Sequence, residues 1–150
     1  GHTSNHVCFA LKEENLLFSG DHIMDGSTVV IIPPSGDMKD YLDSLDILRE
    51  LPLQHIAPGH GNLMGEPHKV IDTLHRHRMM REQKVIAGMG KLGESSVLGM
   101  LSTIYDDVDK KVYYYARFSL WAHLLKLERD GKARRTSSNE EFDQECWVLC

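Results

Sequence analysis

Apolar residues recur with two different periods along this chain, and the change of period divides it. Residues 7–11 and 15–18 are short, largely apolar runs parted by Lys12, Glu13 and Glu14, which predicts a β-hairpin with one well-buried face. Ser19, Gly20, Asp21 and His22 close the second run in a polar loop. Residues 28–32 are β-branched enough to predict another extended run, stopped by Pro33 and Pro34. Met38, Tyr41, Leu42, Leu45, Leu48 and Leu51 then return at helical spacing behind Asp37, a good capping residue, so 37–51 is predicted helical and ends at Pro52. A brief strand over 55–57 and a turn through Pro58, Gly59, His60 and Gly61 follow.

Residues 66–89 read as a second helix, with Pro67 in its first turn and Val70, Ile71, Leu74, Val85 and Met89 as its apolar positions. Gly88, Gly90 and Gly93 predict a linker after it. Beyond the linker, the spacing predicts helices over 94–105 and 112–130, then a strand over 132–135, a hairpin tip over 137–142 and a return strand over 145–149. Helix, helix and two-stranded ribbon is the outline of a winged helix. The boundary between the two domains is expected at 91/92.

Composition narrows the class. The 41% hydrophobic and 26% charged content with a net charge of −5 over 150 residues describes a chain able to bury a core, not a disordered one. No apolar stretch approaches a membrane span or a signal peptide, and Cys8, Cys146 and Cys150 lack metal-ligand spacing, so a cytoplasmic protein without disulfides is expected. Charge is uneven: 3 Lys or Arg face 9 Asp or Glu in residues 1–65, 6 face 3 in 66–91, and 8 face 10 in 92–150. Eight of the 9 histidines lie at or before His77, His123 being the exception. That asymmetry points to chemistry in the first domain.

His2, Asp21 and His60 each occupy a Gly-containing turn beside an apolar run. Imidazole and carboxylate are ligands suited to zinc and similar ions, and glycines let backbone approach a bound ion closely. Each turn alone is also what backbone geometry would select without any ligand. His6 and His22 lie beside these turns and are candidates for substrate binding or for orienting a ligand, the alternative being hydrogen-bonded loop histidines. His55, His68 and His123 are read as structural.

Taken in order, Gly-His-Thr-x-x-His over residues 1–6, Ser19-Gly20-Asp21, and Pro58-Gly59-His60-Gly61 resemble the second half of the metallo-β-lactamase superfamily. The opening motif, the long helix with His77-Arg78 and Arg81-Glu82-Gln83, and the winged-helix tail are most similar to its β-lactamase-like protein 2 subgroup. The resemblance implies that His2 binds one metal, His60 a second, and that Asp21 bridges them. The first signature of the family, His-x-His-x-Asp-His, is absent. His75 and His77 are followed by Arg78 and Met79, and residues two apart on a helix do not face one another.

The implied fold is α+β: the C-terminal half of an αββα metallo-β-lactamase sandwich over residues 1–91, followed by a winged-helix-like domain over 92–150. The chain is accordingly expected to be a piece of a longer one. The implied activity is hydrolysis by a metal-bound hydroxide, with two zinc ions per intact site and iron or manganese as alternatives, acting on a small ester, thioester or related molecule. No residue of the chain is singled out as catalytic, and these 150 residues alone are expected to be inactive. Single-stranded RNA is the alternative substrate, through endoribonuclease activity, to which the basic helix and the Tyr113-Tyr114-Tyr115 run could contribute. A non-catalytic winged-helix interaction module is the reading from another class. Self-association through exposed sheet edges is a further expectation.

Overall fold

β1 (Phe9–Leu11) and β2 (Leu16–Gly20) form the predicted antiparallel hairpin, with Phe9 opposite Phe18. Its connection is one turn of 3-10 helix over Lys12–Glu14, closed by Asn15 in the left-handed conformation at φ 48°, which asparagine tolerates better than most residues. The expected buried face is carried by β2 alone: Leu17 and Ser19 are buried, whereas Phe9 is 66% and Phe18 46% exposed. The computed structural model describes residues 1–137 and 139–150, so the predicted hairpin tip at 137–142 lies partly outside the described residues.

The chain forms two compact units, Gly1–Arg78 and Met79–Cys150. In the first, α1 (Met38–Arg49) begins where expected: the Asp37 carboxylate accepts the Asp40 N–H at 2.9 Å, a cap worth about 1 kcal/mol. Met38, Tyr41, Leu42, Leu45 and Leu48 are its buried stripe. β3 (His55–Pro58) pairs parallel to β2, giving the order β1-β2-β3. The run 28–32 does not join this sheet. Val29 and Ile31 are buried, but the Val29 carbonyl accepts from the Arg78 guanidinium and the Val30 carbonyl lies 3.2 Å from His2 Nδ1. Side chains satisfy backbone groups that the β-branched pattern assigned to a ladder.

α2 (Pro67–Leu92) contributes residues 67–78 to the first unit and 79–92 to the second. The predicted linker is not a break at Gly88 or Gly90, because the helix continues through both and stops only at Gly93, at φ 68°, whose N–H reaches the Met89 carbonyl at 2.9 Å. A Cβ on Gly88 would stand 2.6 Å from Ile104 Cγ1. Close packing, not chain reversal, explains that glycine.

In the second unit, β4 (Ser95–Ser96), which the sequence reading missed, leads into α3 (Val97–Ile104), capped by the Ser96 hydroxyl. α4 (Tyr113–Arg129), β5 (Ala133–Ser137) and β6 (Cys146–Leu149) follow, and the antiparallel sheet has the order β4-β6-β5. Trp147, Leu120, Leu124, Met100 and Val85 are fully buried in one core. Glu82 is buried with them and places Oε2 at 2.8 Å from Lys126 Nζ and 3.9 Å from His123 Nδ1. No helix among the described residues is long and apolar enough to cross a membrane.

Two outcomes follow for the second unit. Gly90→Ala, whose Cβ meets only Leu149 Cδ1 at 3.9 Å, should raise Tm through a gain of about 0.5–1 kcal/mol in helix propensity. Gly88→Ala should lower it despite the same gain, because Ile104 must move.

Burial opposes ionisation of Glu82, but the neighbouring His123 imidazole and the Lys126 ammonium outweigh it and hold its pKa at about 2, below the ordinary 4.5. A depressed folded-state pKa means stability present above pH 4.5 and lost as pH falls toward 2. Urea midpoints measured across that window should fall for the parent chain and fall less steeply in Glu82→Gln, the remaining slope including Asp107, whose carboxyl Arg81 and Lys84 hold well below its ordinary range.

Candidate metal centre

The N-terminal loop places the first candidate ligand. The Gly1 carbonyl accepts the Asp37 N–H at 2.9 Å, and a Cβ on Gly36 would lie 2.7 Å from the His2 carbonyl, so residues 1 and 2 lie directly against the segment entering α1. With Nδ1 of His2 directed at the Val30 carbonyl at 3.2 Å, a proton there leaves Nε2 with a lone pair. A histidine ligand is commonly oriented by such a carbonyl bond.

β2 and β3 place the other two. Because they run parallel, both end at the same edge, with Gly20 opposite Pro58 after a register shift at Ser19. Gly20 has φ 52°, and a Cβ there would come 2.6 Å from His6 Nε2. That close approach lets His6 Nε2 accept the Asp21 backbone N–H at 3.2 Å. On the neighbouring strand end, the Gly59 N–H donates to the Gly20 carbonyl at 2.8 Å, and a Cβ on Gly59 would stand 2.8 Å from Asp21 Oδ1. His60 Nε2 consequently lies 3.4 Å from Asp21 Oδ1, with 75% and 44% of the two side chains exposed.

That separation suits a shared ion. Two donors each about 2.1 Å from one zinc at a tetrahedral angle lie roughly 3.4 Å apart. His2 is not brought into the same group: among the described residues no three His, Cys, Asp or Glu side chains are placed to hold an ion together. The donor set therefore fits two ligands of one ion and leaves its remaining positions to other groups.

His6 and His22, the candidate substrate contacts, lie side by side. Ring centroids are 5.8 Å apart for His2 and His6 and 6.1 Å for His6 and His22. His22 is buried against Tyr41 at 4.8 Å, and the Tyr41 hydroxyl donates to the His22 carbonyl at 3.2 Å. Burial, then the charge of His2, lowers the His6 pKa, while burial chiefly takes His22 to about 4. Both are neutral imidazoles at pH 7. They border a cavity of about 190 Å3 with Cys8, Ser44, Ile47 and Leu48.

The sequence reading missed the clamp on the His60 turn. Asp25 Oδ2 accepts both the backbone and side-chain N–H of Asn62 at 3.1 Å, and the Asp25 N–H reaches the His60 carbonyl at 3.3 Å. Gly61, at φ 98°, lies so close that a Cβ would be 2.4 Å from Asp25 Cβ. The Asp25-Gly26 turn signal was present, but nothing local linked it to residues 37 positions away.

Residues 1–60 match the model of the metallo-beta-lactamase superfamily, and residues 96–144 that of the beta-lactamase associated winged helix domain. A beta-lactamase-like protein 2 homolog of Drosophila melanogaster is 34% identical over 145 residues, covering 95% of this chain and 48% of that protein. An atrochrysone carboxyl ACP thioesterase of Emericella nidulans is 30% identical over 139 residues, 88% of this chain and 43% of its own. The fold matches a crystal structure of a metallo-beta-lactamase family protein from Thermus thermophilus with TM-score 0.80 at 21% identity, over 100% of this chain and 47% of that one. The chain thus spans about half the length of the curated relatives it matches.

The close contact at Gly59 gives a direct check. Gly59→Ala should push the Asp21 carboxylate away from His60 and weaken zinc binding by the chain about 10-fold in competition with a chelating dye. Gly65→Ala, whose Cβ meets nothing within 4 Å, should leave it unchanged.

Proposed function

We propose that this chain, which belongs to the metallo-β-lactamase superfamily through residues 1–60 and carries the associated winged helix domain at residues 96–144, is part of a metal-dependent hydrolase of small thioesters or esters. The observation that carries the reading is the 3.4 Å approach of His60 Nε2 to Asp21 Oδ1 at the shared end of two parallel strands. His2, Asp21 and His60 are the residues that would hold metal. A metal there supplies Lewis acidity and lowers the pKa of water from about 15.7 toward 7. Asp21, with two carboxylate oxygens, is suited to bridging, and His6 fixes its backbone through the Asp21 N–H. His2 is oriented by Val30, and Asp25 with Asn62 holds the His60 turn.

Charge favours a small substrate over a polyanion. Several basic side chains of α2 are already engaged: Arg78 donates to the Val29 carbonyl, Arg81 pairs with Asp107 at 2.9 Å, and Lys84 reaches Asp106 and Asp107 at 3.0 Å. His75 faces Asp46 at 3.7 Å. The name of the Emericella nidulans relative, a carboxyl ACP thioesterase, supports a thioester in particular.

With two ligands converging on one ion, these 150 residues should bind zinc weakly and hydrolyse S-acetyl-N-acetylcysteamine at close to the buffer rate. His60→Ala and Asp21→Ala should abolish the residual zinc binding measured by titration, whereas Cys8→Ser should not. Zinc binding indifferent to both substitutions overturns the reading, whereas rapid zinc-dependent turnover by the 150-residue chain overturns only the expectation that these residues are inactive alone.

A further inference from the structure

On the far side of the Asp25 clamp, a cavity of about 420 Å3 opens between residues 24–28 and the start of α2, within the range that holds small ligands. One wall is a single helix face, since Lys69, Val70, Thr73 and Leu74 recur at the three- and four-residue spacing of one stripe, with Glu66 just before the helix beside them. Met24 forms the opposite wall. Met64 is fixed between them by its mutual backbone hydrogen bonds with Ile56, both 2.9 Å. The enclosing side chains that set its character, Met24, Met64, Val70 and Leu74, are apolar.

Its charges are engaged and leave one negative charge in excess, from Asp25, Glu66 and Lys69. Lys69 is paired with Glu66 at 3.2 Å, and Asp25 is bonded to Asn62, so among the described residues no unengaged cation faces the cavity to recruit a phosphate or carboxylate. Two glycines in the lining, Gly26 and Gly65, would each project a Cβ into open space with nothing within 4 Å. Glu66, where the wall begins, holds φ 51°, a left-handed conformation costing a non-glycine residue about 1–2 kcal/mol. Strain of this kind is retained at ligand sites.

The cavity also adjoins the support of the candidate metal centre through one residue. Asp25 lines it, and the same residue holds the His60 turn through its N–H and carboxylate. A substrate whose reacting carbonyl lies at Asp21 and His60 can therefore extend an uncharged tail past Asp25. We infer that this cavity, lined by Met24, Met64, Val70 and Leu74, binds the neutral acyl chain of the substrate. The inference rests on the hydrolase reading above and adds its specificity: medium-length aliphatic acyl groups over acetyl or anionic ones.

The test uses the 150-residue chain labelled with 13C at the methionine methyls and titrated with S-octanoyl-N-acetylcysteamine. The Met24 and Met64 signals should shift saturably while those of Met38, Met79, Met80, Met89 and Met100 stay in place. S-acetyl-N-acetylcysteamine should bind at least 10-fold more weakly. Gly65→Leu, which fills open space, and Val70→Glu should each weaken octanoyl binding at least 10-fold, with Tm of Gly65→Leu close to the parent value. The inference is overturned by unmoved Met24 and Met64 signals, by equal affinity for the two thioesters, or by parental affinity in both variants. Zinc titration of the same samples separates the two failures: Asp21- and His60-dependent zinc binding with still methionines removes the acyl site alone, and its loss removes the hydrolase reading.

Discussion

Parallel pairing of β2 with β3 is the constraint on which the candidate centre depends. An antiparallel neighbour would carry its following turn to the opposite edge of the sheet, and Asp21 and His60 would then lie a strand length apart. Parallel pairing needs a long crossover, supplied here by the 28–32 segment and α1. The two strand ends must then come close enough for side chains to share an ion. Glycine makes this possible twice, at Gly20 against His6 and at Gly59 against Asp21, where any side chain would occupy the space of a ligand or its support.

Everything around the centre serves to keep those two ends still. The left-handed turn at Gly20 aims the Asp21 N–H at His6, and the Ser19 hydroxyl, buried, donates to the Ile23 carbonyl at 2.8 Å. Tyr41 reaches from α1 to the His22 carbonyl, and the Arg78 guanidinium lies 5.2 Å over the Tyr41 ring. A buried arginine beside a tyrosine ring raises the question of its counter-charge. Its donation to the Val29 carbonyl and the ring face supply partial negative charge beside the guanidinium.

The candidate ligands were legible in the sequence because each sits at the end of a short element in a turn with its own local signal, and their order along the chain carried the rest. The supports were not legible in the same way. His2 to Val30, Asp25 to Asn62 and Arg78 to Val29 join residues 28, 37 and 49 positions apart, which periodicity cannot connect. Glycine was ambiguous for a related reason. Gly93 ends a helix through its own φ, whereas Gly88 lies inside one because Ile104 leaves no room for a Cβ. The two look alike until the partner is known. The 28–32 run shows the converse, a β-branched segment that joins no strand, with the Val29 and Val30 carbonyls given to side chains.

The same distinction bears on how binding and chemistry divide within the first unit. Residues at strand ends converge on Asp21 and His60 and are polar, exposed and dependent on glycine for their approach. The cavity walls from α2 and residues 24–28 mix the apolar Met24, Met64, Val70 and Leu74 with polar side chains, and Lys69 and Asp25 already have partners there. Asp25 belongs to both sets. A side chain that clamps the His60 turn and also borders the cavity couples the position of a ligand to the shape of the space beside it. Changes in the 24–28 loop should therefore be felt at His60 before they are felt in β2, whose end is fixed independently by His6 and Ser19.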